Sequence, residues 1–149
     1  MLAFAPILLN MIELHPYEYV YFNLAFGGLK NAHNRYETDY WGLSMREAME
    51  WINENDDTYR KIVVGGAPAN LASTFADFDV DVTDTILDYT LEETREFARP
   101  YYYLAMPHPI WSNAFPECTV VYQVVRQGVP LTKIKYCAGG TVAVQGGDD

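Results

Sequence analysis

The chain has 149 residues, half of them apolar and 15% aromatic, which is enough for one domain with its own core. Twenty Asp and Glu stand against ten Lys and Arg, a formal net charge of −10. This balance weighs against nucleic acid as a partner, because phosphate neutralisation needs clustered cations, and against a polybasic grip on anionic lipid.

Residues 1–10 (MLAFAPILLN) are almost wholly apolar. The run is too short to span a bilayer, which takes about 20 apolar residues. It also lacks the cationic start and small-residue cleavage site of a signal peptide. It reads either as a buried core segment or, over residues 1–14, as the residual end of a transmembrane or interfacial helix. The following residues favour the second reading. Residues 16–26 (PYEYVYFNLAF) read two ways: Tyr17, Tyr19 and Tyr21 alternate as in a strand, whereas Tyr17, Val20, Tyr21 and Leu24 follow helical spacing, with Pro16 suited to a first helical position and Gly27-Gly28 to a stop; the helix is favoured. Three tyrosines beside an apolar run suit a membrane–water boundary. The same rings could equally fill core.

After a polar stretch, Ser44 with Glu47 three residues later predicts a capping box. Leu43 is placed to staple onto Ala48, and Met45, Ala48, Met49 and Ile52 form the apolar stripe of a helix. Residues 61–64 (KIVV) read as a buried strand, Gly65-Gly66 as a turn, and Pro68 as the opening of a second helix. Phe78, Val80 and Val82 alternate with polar residues as a strand. Residues 91–98 predict a short helix and residues 101–105 (YYYLA) another buried strand. A hairpin is predicted around Gln127-Gly128, and residues 138–149 form a Gly-rich flexible tail. Strands alternating with helices predict an α/β fold: a single domain over residues 15–137, Rossmann-like and three-layered (α/β/α), with a mostly parallel sheet and a C-terminal antiparallel β-hairpin adding edge strands.

Gly65-Gly66 lacks the further residues of a dinucleotide fingerprint or P-loop and reads as a tight turn. Asp77, Asp79 and Asp81 imitate the start of a calcium loop, but Val82 stands where that loop needs Gly. His15, His33 and His108 show no metal-ligand spacing. No cofactor, metal site or catalytic residue is therefore expected in this stretch. With a two-residue turn at Gln127-Gly128, the same count outward along each strand brings Cys118 opposite Cys137. Facing residues have Cβ atoms about 4.5–5.5 Å apart and a disulfide needs about 3.5–4.5 Å, so a bridge is feasible; formed, it places the domain in an oxidising compartment, and the alternative is two free thiols in a reduced cytosolic protein. The densest functional-looking stretch is RYETDYWG, with Arg35, Tyr36, Glu37, Asp39, Tyr40 and Trp41 as candidate binding residues. Aromatic faces and carboxylates suit a polyol such as a sugar. The competing reading is a structural loop in which the aromatics pack and Asp39 caps local amides.

The run HPYEYVYFN, GGLKNA, RYETDYWG and SMREAMEWINEN, over residues 15–55, resembles the stretch after the last transmembrane helix in bacterial membrane proteins of glycosyltransferase family 39, the dolichyl-phosphate-mannose-protein mannosyltransferase-like family. The matching residues are Tyr21-Phe22-Asn23, Gly27-Gly28 and, with an inserted tyrosine, Asp39-Tyr40-Trp41-Gly42. The later run PECTVVYQVVRQGVPLTKIKYC is also similar to such tails, and together the two stretches touch roughly half the chain. The resemblance implies a polytopic inverting glycosyltransferase that takes sugar from a polyprenyl-phosphate carrier at the extracytoplasmic (periplasmic) face. The family's catalytic acids lie in loops near the start of its membrane part, so none is carried over here. The resemblance leads us to expect an extracytoplasmic C-terminal accessory domain, membrane-anchored and non-catalytic alone. Its partners would be the membrane portion of the same chain and a glycan or lipid-linked sugar acceptor. The alternatives are a non-catalytic glycan- or protein-binding envelope module and a free-standing soluble α/β enzyme.

Overall fold

A computed structural model describes residues 4–33, 35–56, 61–66, 69–77, 81–84 and 100–138. The predicted helix over 91–98, Pro68, the strand residues 78–80 and the tail beyond 138 lie outside the described residues.

The apolar N-terminal run is helical. Helix α1 (Ala5–Leu14) has a proline in its first turn, where a missing N–H costs nothing. Its burial is sparse: only Asn10 and Leu14 are buried, while Phe4, Leu8, Leu9 and Ile12 are 59–72% exposed. The continuous helix expected over residues 16–26 is replaced by two 3-10 turns, Glu18–Val20 and Leu24–Phe26, after a cis His15–Pro16 peptide. The reason is local. Asn23 Oδ1 accepts the Ala25 N–H at 2.9 Å and begins a new turn, so Tyr17 and Val20 enter the core while Leu24 does not. Gly27, at φ +90°, ends that turn in the left-handed region, and α2 (Gly28–Ala32) follows.

Helix α3 (Ser44–Asn55) buries Met45, Ala48, Met49 and Ile52 on one face, as the periodicity predicts. Met45, Met49 and Ile52 are each worth about 1.5–3 kcal/mol of burial, and the Ala48 methyl about 0.8 kcal/mol. The capping box is not formed. Leu43 occupies the cap position without a side-chain hydrogen bond, Ser44 is the first helical residue, and Glu47 turns away to Tyr17, Tyr122 and Arg126. The capping acceptor is Asp39, whose carboxylate takes the Ser44 N–H at 3.3 Å.

The sheet comprises β1 (Lys61–Gly65), β2 (Asp81–Asp84), β3 (Tyr101–Ala105), β4 (Thr119–Arg126) and β5 (Val129–Cys137), in the order β2-β1-β3-β5-β4. β1 pairs in parallel with β2 and β3, whereas β5 pairs antiparallel with both β3 and β4, the β4–β5 ladder being the longest of the four. Side chains alternate between two buried faces. Ile62, Val64, Tyr102 and Leu104 meet the α3 stripe and Ala72 of α4 (Ala69–Thr74). Val63, Tyr101, Tyr103 and Ala105 meet Ala114, Phe115 and the two cysteines.

This arrangement corrects the expected mostly parallel, three-layer Rossmann-like sheet: the fold is α+β with a mixed sheet. Two features of the chain account for the difference. The hairpin is not an edge addition, because β5 is interior and carries the antiparallel half of the sheet. Among the described residues, the helices packed on the sheet share one face, and the other face is closed by Phe115 and Ala114 after the short helix α5 (Pro109–Ser112).

Gln127 (φ +50°) and Gly128 (φ +73°) turn the hairpin with both central residues left-handed, which matches strand twist. Arg126 faces Val129, but the register slips between Val124 and Val125 and slips again between Val120 and Tyr122. The first irregularity leaves Leu131 extra on β5 and the second leaves Val121 extra on β4, so they cancel. Cys118 therefore still meets Cys137, and a disulfide joins them with Cα atoms 4.6 Å apart.

Candidate functional site

The chain leaves β1 toward β2 and leaves β3 toward the opposite edge, so the carboxyl ends of β1 and β3 form the point where connections diverge. Open sheets with parallel strands offer ligand crevices at such points. The loop carrying residues 35–41 lies over this place. Its Glu37, Asp39 and Tyr40 border a recess of about 160 Å³ together with Gly66, Met106 and Pro107. Arg35, Tyr36 and Glu37 border a second, of about 150 Å³, with Pro107, His108 and Pro109.

The six predicted binding residues divide into two kinds. Arg35, Tyr36, Glu37, Tyr40 and Trp41 are exposed, with Tyr36, Tyr40 and Trp41 each 67–69% accessible. Tyr40 and Trp41 meet edge to face at 5.3 Å. Asp39 is fully buried. One of its carboxylate oxygens accepts the Tyr19 hydroxyl in a short contact, and the other accepts the Ser44 N–H and, in a second short contact, the Ser44 hydroxyl. Ser44 Oγ also shares a hydrogen bond with Thr132 Oγ1 at 2.6 Å. A polar chain Tyr19–Asp39–Ser44–Thr132 thus ties the turn after α1, the loop, α3 and β5 together. Burial pushes the Asp39 carboxyl up to about 6, against the opposing pull of the hydrogen bonds from Ser44 and the amides before it. Asp39 is the loop's internal fastener, and the surrounding aromatics supply the outward surface.

Arg35 and Tyr36 also form the edge of a larger recess, about 470 Å³, that runs back along Phe22, Asn23, Phe26 and Asn31. Its size falls within the range usual for small-molecule sites. The Phe22 and Tyr36 rings lie nearly parallel, 6.1 Å apart. Sequence reasoning missed this wall, because a continuous helix over 16–26 would have scattered Phe22, Asn23 and Phe26 around its axis. The available signal was Asn23 two residues before Ala25, the spacing of a local side-chain cap.

A second polar centre joins α1 to the body. Arg126 places its guanidinium 4.7 Å from the Tyr17 ring centroid, bonds Glu47 at 2.7 Å and donates to the His15 carbonyl. Gln127 donates to Asn10 and Glu13 of α1. Burial and the neighbouring Glu47 hold the Tyr17 phenol well above its ordinary range.

The remaining candidates have structural explanations. A Cβ on Gly65 would lie 2.0 Å from the Tyr103 hydroxyl, and one on Gly66 would lie 2.5 Å from the Trp111 ring. The double glycine therefore admits two aromatic rings rather than a phosphate. His108 caps α5 by accepting the Ile110 N–H. His15 pairs with Glu18 at 2.6 Å. His33 is held below its usual range by burial first and Lys133 second. Among the described residues no group of three or more His, Cys, Asp or Glu is arranged to hold a metal; Asp79 lies outside them. Ser44, the one serine bonded to a carboxylate among the described residues, is buried and closed off from any substrate. The exposed part of the loop presents aromatic faces, a guanidinium and a carboxylate side by side. No family model matches the chain, and neither a curated protein nor a solved structure is significantly similar to it.

Proposed function

We propose that this chain is the extracytoplasmic C-terminal accessory domain of an integral-membrane glycosyltransferase that uses a polyprenyl-phosphate-linked sugar donor. In this reading it is membrane-anchored, stands over the membrane portion of the same chain, and contributes acceptor contacts rather than bond-making groups. The observation that carries the reading is α1: a helix whose large apolar side chains, Leu14 apart, stand in solvent while its polar Asn10 and Glu13 are held to the hairpin tip. A helix serving only as core would turn its apolar side chains inward. Among the described residues no helix is long and apolar enough to cross a membrane, so α1 is assigned the interfacial end of the anchor. The buried disulfide agrees with an oxidising compartment, and the exposed Tyr36, Tyr40 and Trp41 agree with a sugar-contacting loop.

The test is co-flotation of residues 1–149 with phosphatidylcholine vesicles, which are neutral and so do not oppose the acidic chain. The wild type should float, and the Leu8→Asp/Ile12→Asp variant, altered at two exposed positions, should remain at the bottom of the gradient. Equal behaviour of the two proteins would reject the assignment of α1. For the acceptor role, Trp41→Ala in the full-length protein should weaken acceptor affinity in a sugar-transfer assay, and unchanged affinity would reject a contact by that ring.

A further inference from the structure

We infer that the recess between the Leu24–Phe26 turn and α2 is a saccharide subsite, in which Phe22, Phe26 and Tyr36 provide ring-stacking walls and Asn23, Asn31 and Arg35 read the hydroxyls. It extends the sugar-binding part of the proposed function and is independent of the membrane placement of α1. The polar groups are preorganised by the backbone. Asn23 spends its carbonyl oxygen on the Ala25 N–H, which leaves its NH2 to donate. Asn31 spends its NH2 on the Phe26 carbonyl at 2.7 Å, which leaves its oxygen to accept. The recess thus offers an oriented donor, an oriented acceptor and the Arg35 fork around a floor of Gly28 and Ala32. A sugar hydroxyl both donates and accepts, and the C–H face of a pyranose is apolar. Rings with amides of opposite polarity are complementary to both properties. An alkyl chain would leave the amides unpaired, and a polyanion would face an acidic chain with Arg35 as the one cation among the described residues that line the recess.

The subsite continues toward the loop. Arg35 and Tyr36 border both this recess and the next, and Glu37 and Pro107 border that one and the recess beside Asp39. A bound oligosaccharide would place one residue against Phe22 and Phe26 and the following one across Tyr36.

Saturation-transfer NMR on residues 1–149 tests this with methyl α-mannoside, methyl β-glucoside, their trisaccharides and adenosine. At least one saccharide should receive saturation, with the trisaccharide binding more tightly. Phe26→Ala/Tyr36→Ala should weaken binding about tenfold or more, whereas Glu50→Ala, at an exposed position of α3 that borders none of these recesses, should bind as before. Phe26 and Tyr36 are 78% and 67% exposed, and unchanged amide shifts in β4 and β5 verify the fold of the double variant. Saturation of no saccharide, or of adenosine alone, overturns the subsite. So does binding that survives in the double variant. If that surviving binding is lost in Trp41→Ala, the sugar belongs to the loop at residues 39–41, and the acceptor role in the proposed function stands without the subsite.

Discussion

Asp39 makes stability depend on pH in a direction opposite to that of most carboxylates. Its carboxyl titrates near 3.8 in an ordinary setting and at about 6 in the folded chain, with burial as the largest cause. At about 1.4 kcal/mol per pH unit, this displacement is worth about 3 kcal/mol. Below the ordinary value both folded and unfolded chains hold the proton, and Asp39 carries no ionisation cost. Between about 3.8 and 6 the folded chain keeps a proton that the unfolded chain has released, so stability falls as pH rises; above about 6 the loss is complete. The protonated form is accommodated because the Tyr19 and Ser44 hydroxyls can accept as well as donate. Asp39→Asn keeps the shape and an acceptor for the Ser44 N–H but cannot ionise. Urea unfolding of both proteins from pH 3.5 to 7 isolates the effect, since all other groups cancel in the difference. The variant should gain about 3 kcal/mol relative to wild type across that range. A constant difference would refute the displacement, and a falling one would show that the hydrogen bonds outweigh burial and hold the carboxyl below its ordinary value.

Three further expectations follow from the packing. Replacing Cys118 and Cys137 together by serine should cost about 3 kcal/mol in urea unfolding, the chain-entropy value for a loop of this length, given their sequence separation of 19; a cost below about 1 kcal/mol would contradict that contribution. Glu47→Ala should cost about 2–3 kcal/mol, because it strands the largely buried Arg126 guanidinium and two tyrosine hydroxyls, whereas Glu50→Ala, which breaks the exposed pair with Arg46, should change little. Gly65→Ala should destabilise by about 1–3 kcal/mol through overpacking, and adding Tyr103→Phe should recover part of the loss by removing the hydroxyl that the new methyl meets; no recovery would place the strain elsewhere.

The α3 stripe, the buried strands at 61–64 and 101–105 and the hairpin turn were legible because each is fixed by local periodicity or by turn chemistry. The meeting of Cys118 with Cys137 was legible through an outward count, although two irregularities had to cancel for the count to hold. Sheet order was not legible, because the pattern of β5 is the same whether it lies inside the sheet or at its edge. The capping of α3 was misread for a similar reason: a serine and a glutamate at the right spacing cannot reveal that a carboxylate five residues earlier folds back over the helix start. Around the candidate site, the reading of RYETDYWG gave Asp39 the same standing as the other candidate residues, although Asp39 is buried and the others are exposed. The wall of Phe22, Asn23, Phe26 and Asn31 depends on a pair of 3-10 turns, and its periodic pattern concealed them.

The proposed placement of the domain outside the cytoplasmic membrane is tested most directly in cells that express the full-length protein. Protease added to intact spheroplasts should digest this domain, and thiol-blocking before lysis should find Cys118 and Cys137 unavailable until a reductant is added. A domain protected until the membrane is broken, with both thiols free to react, would contradict the account.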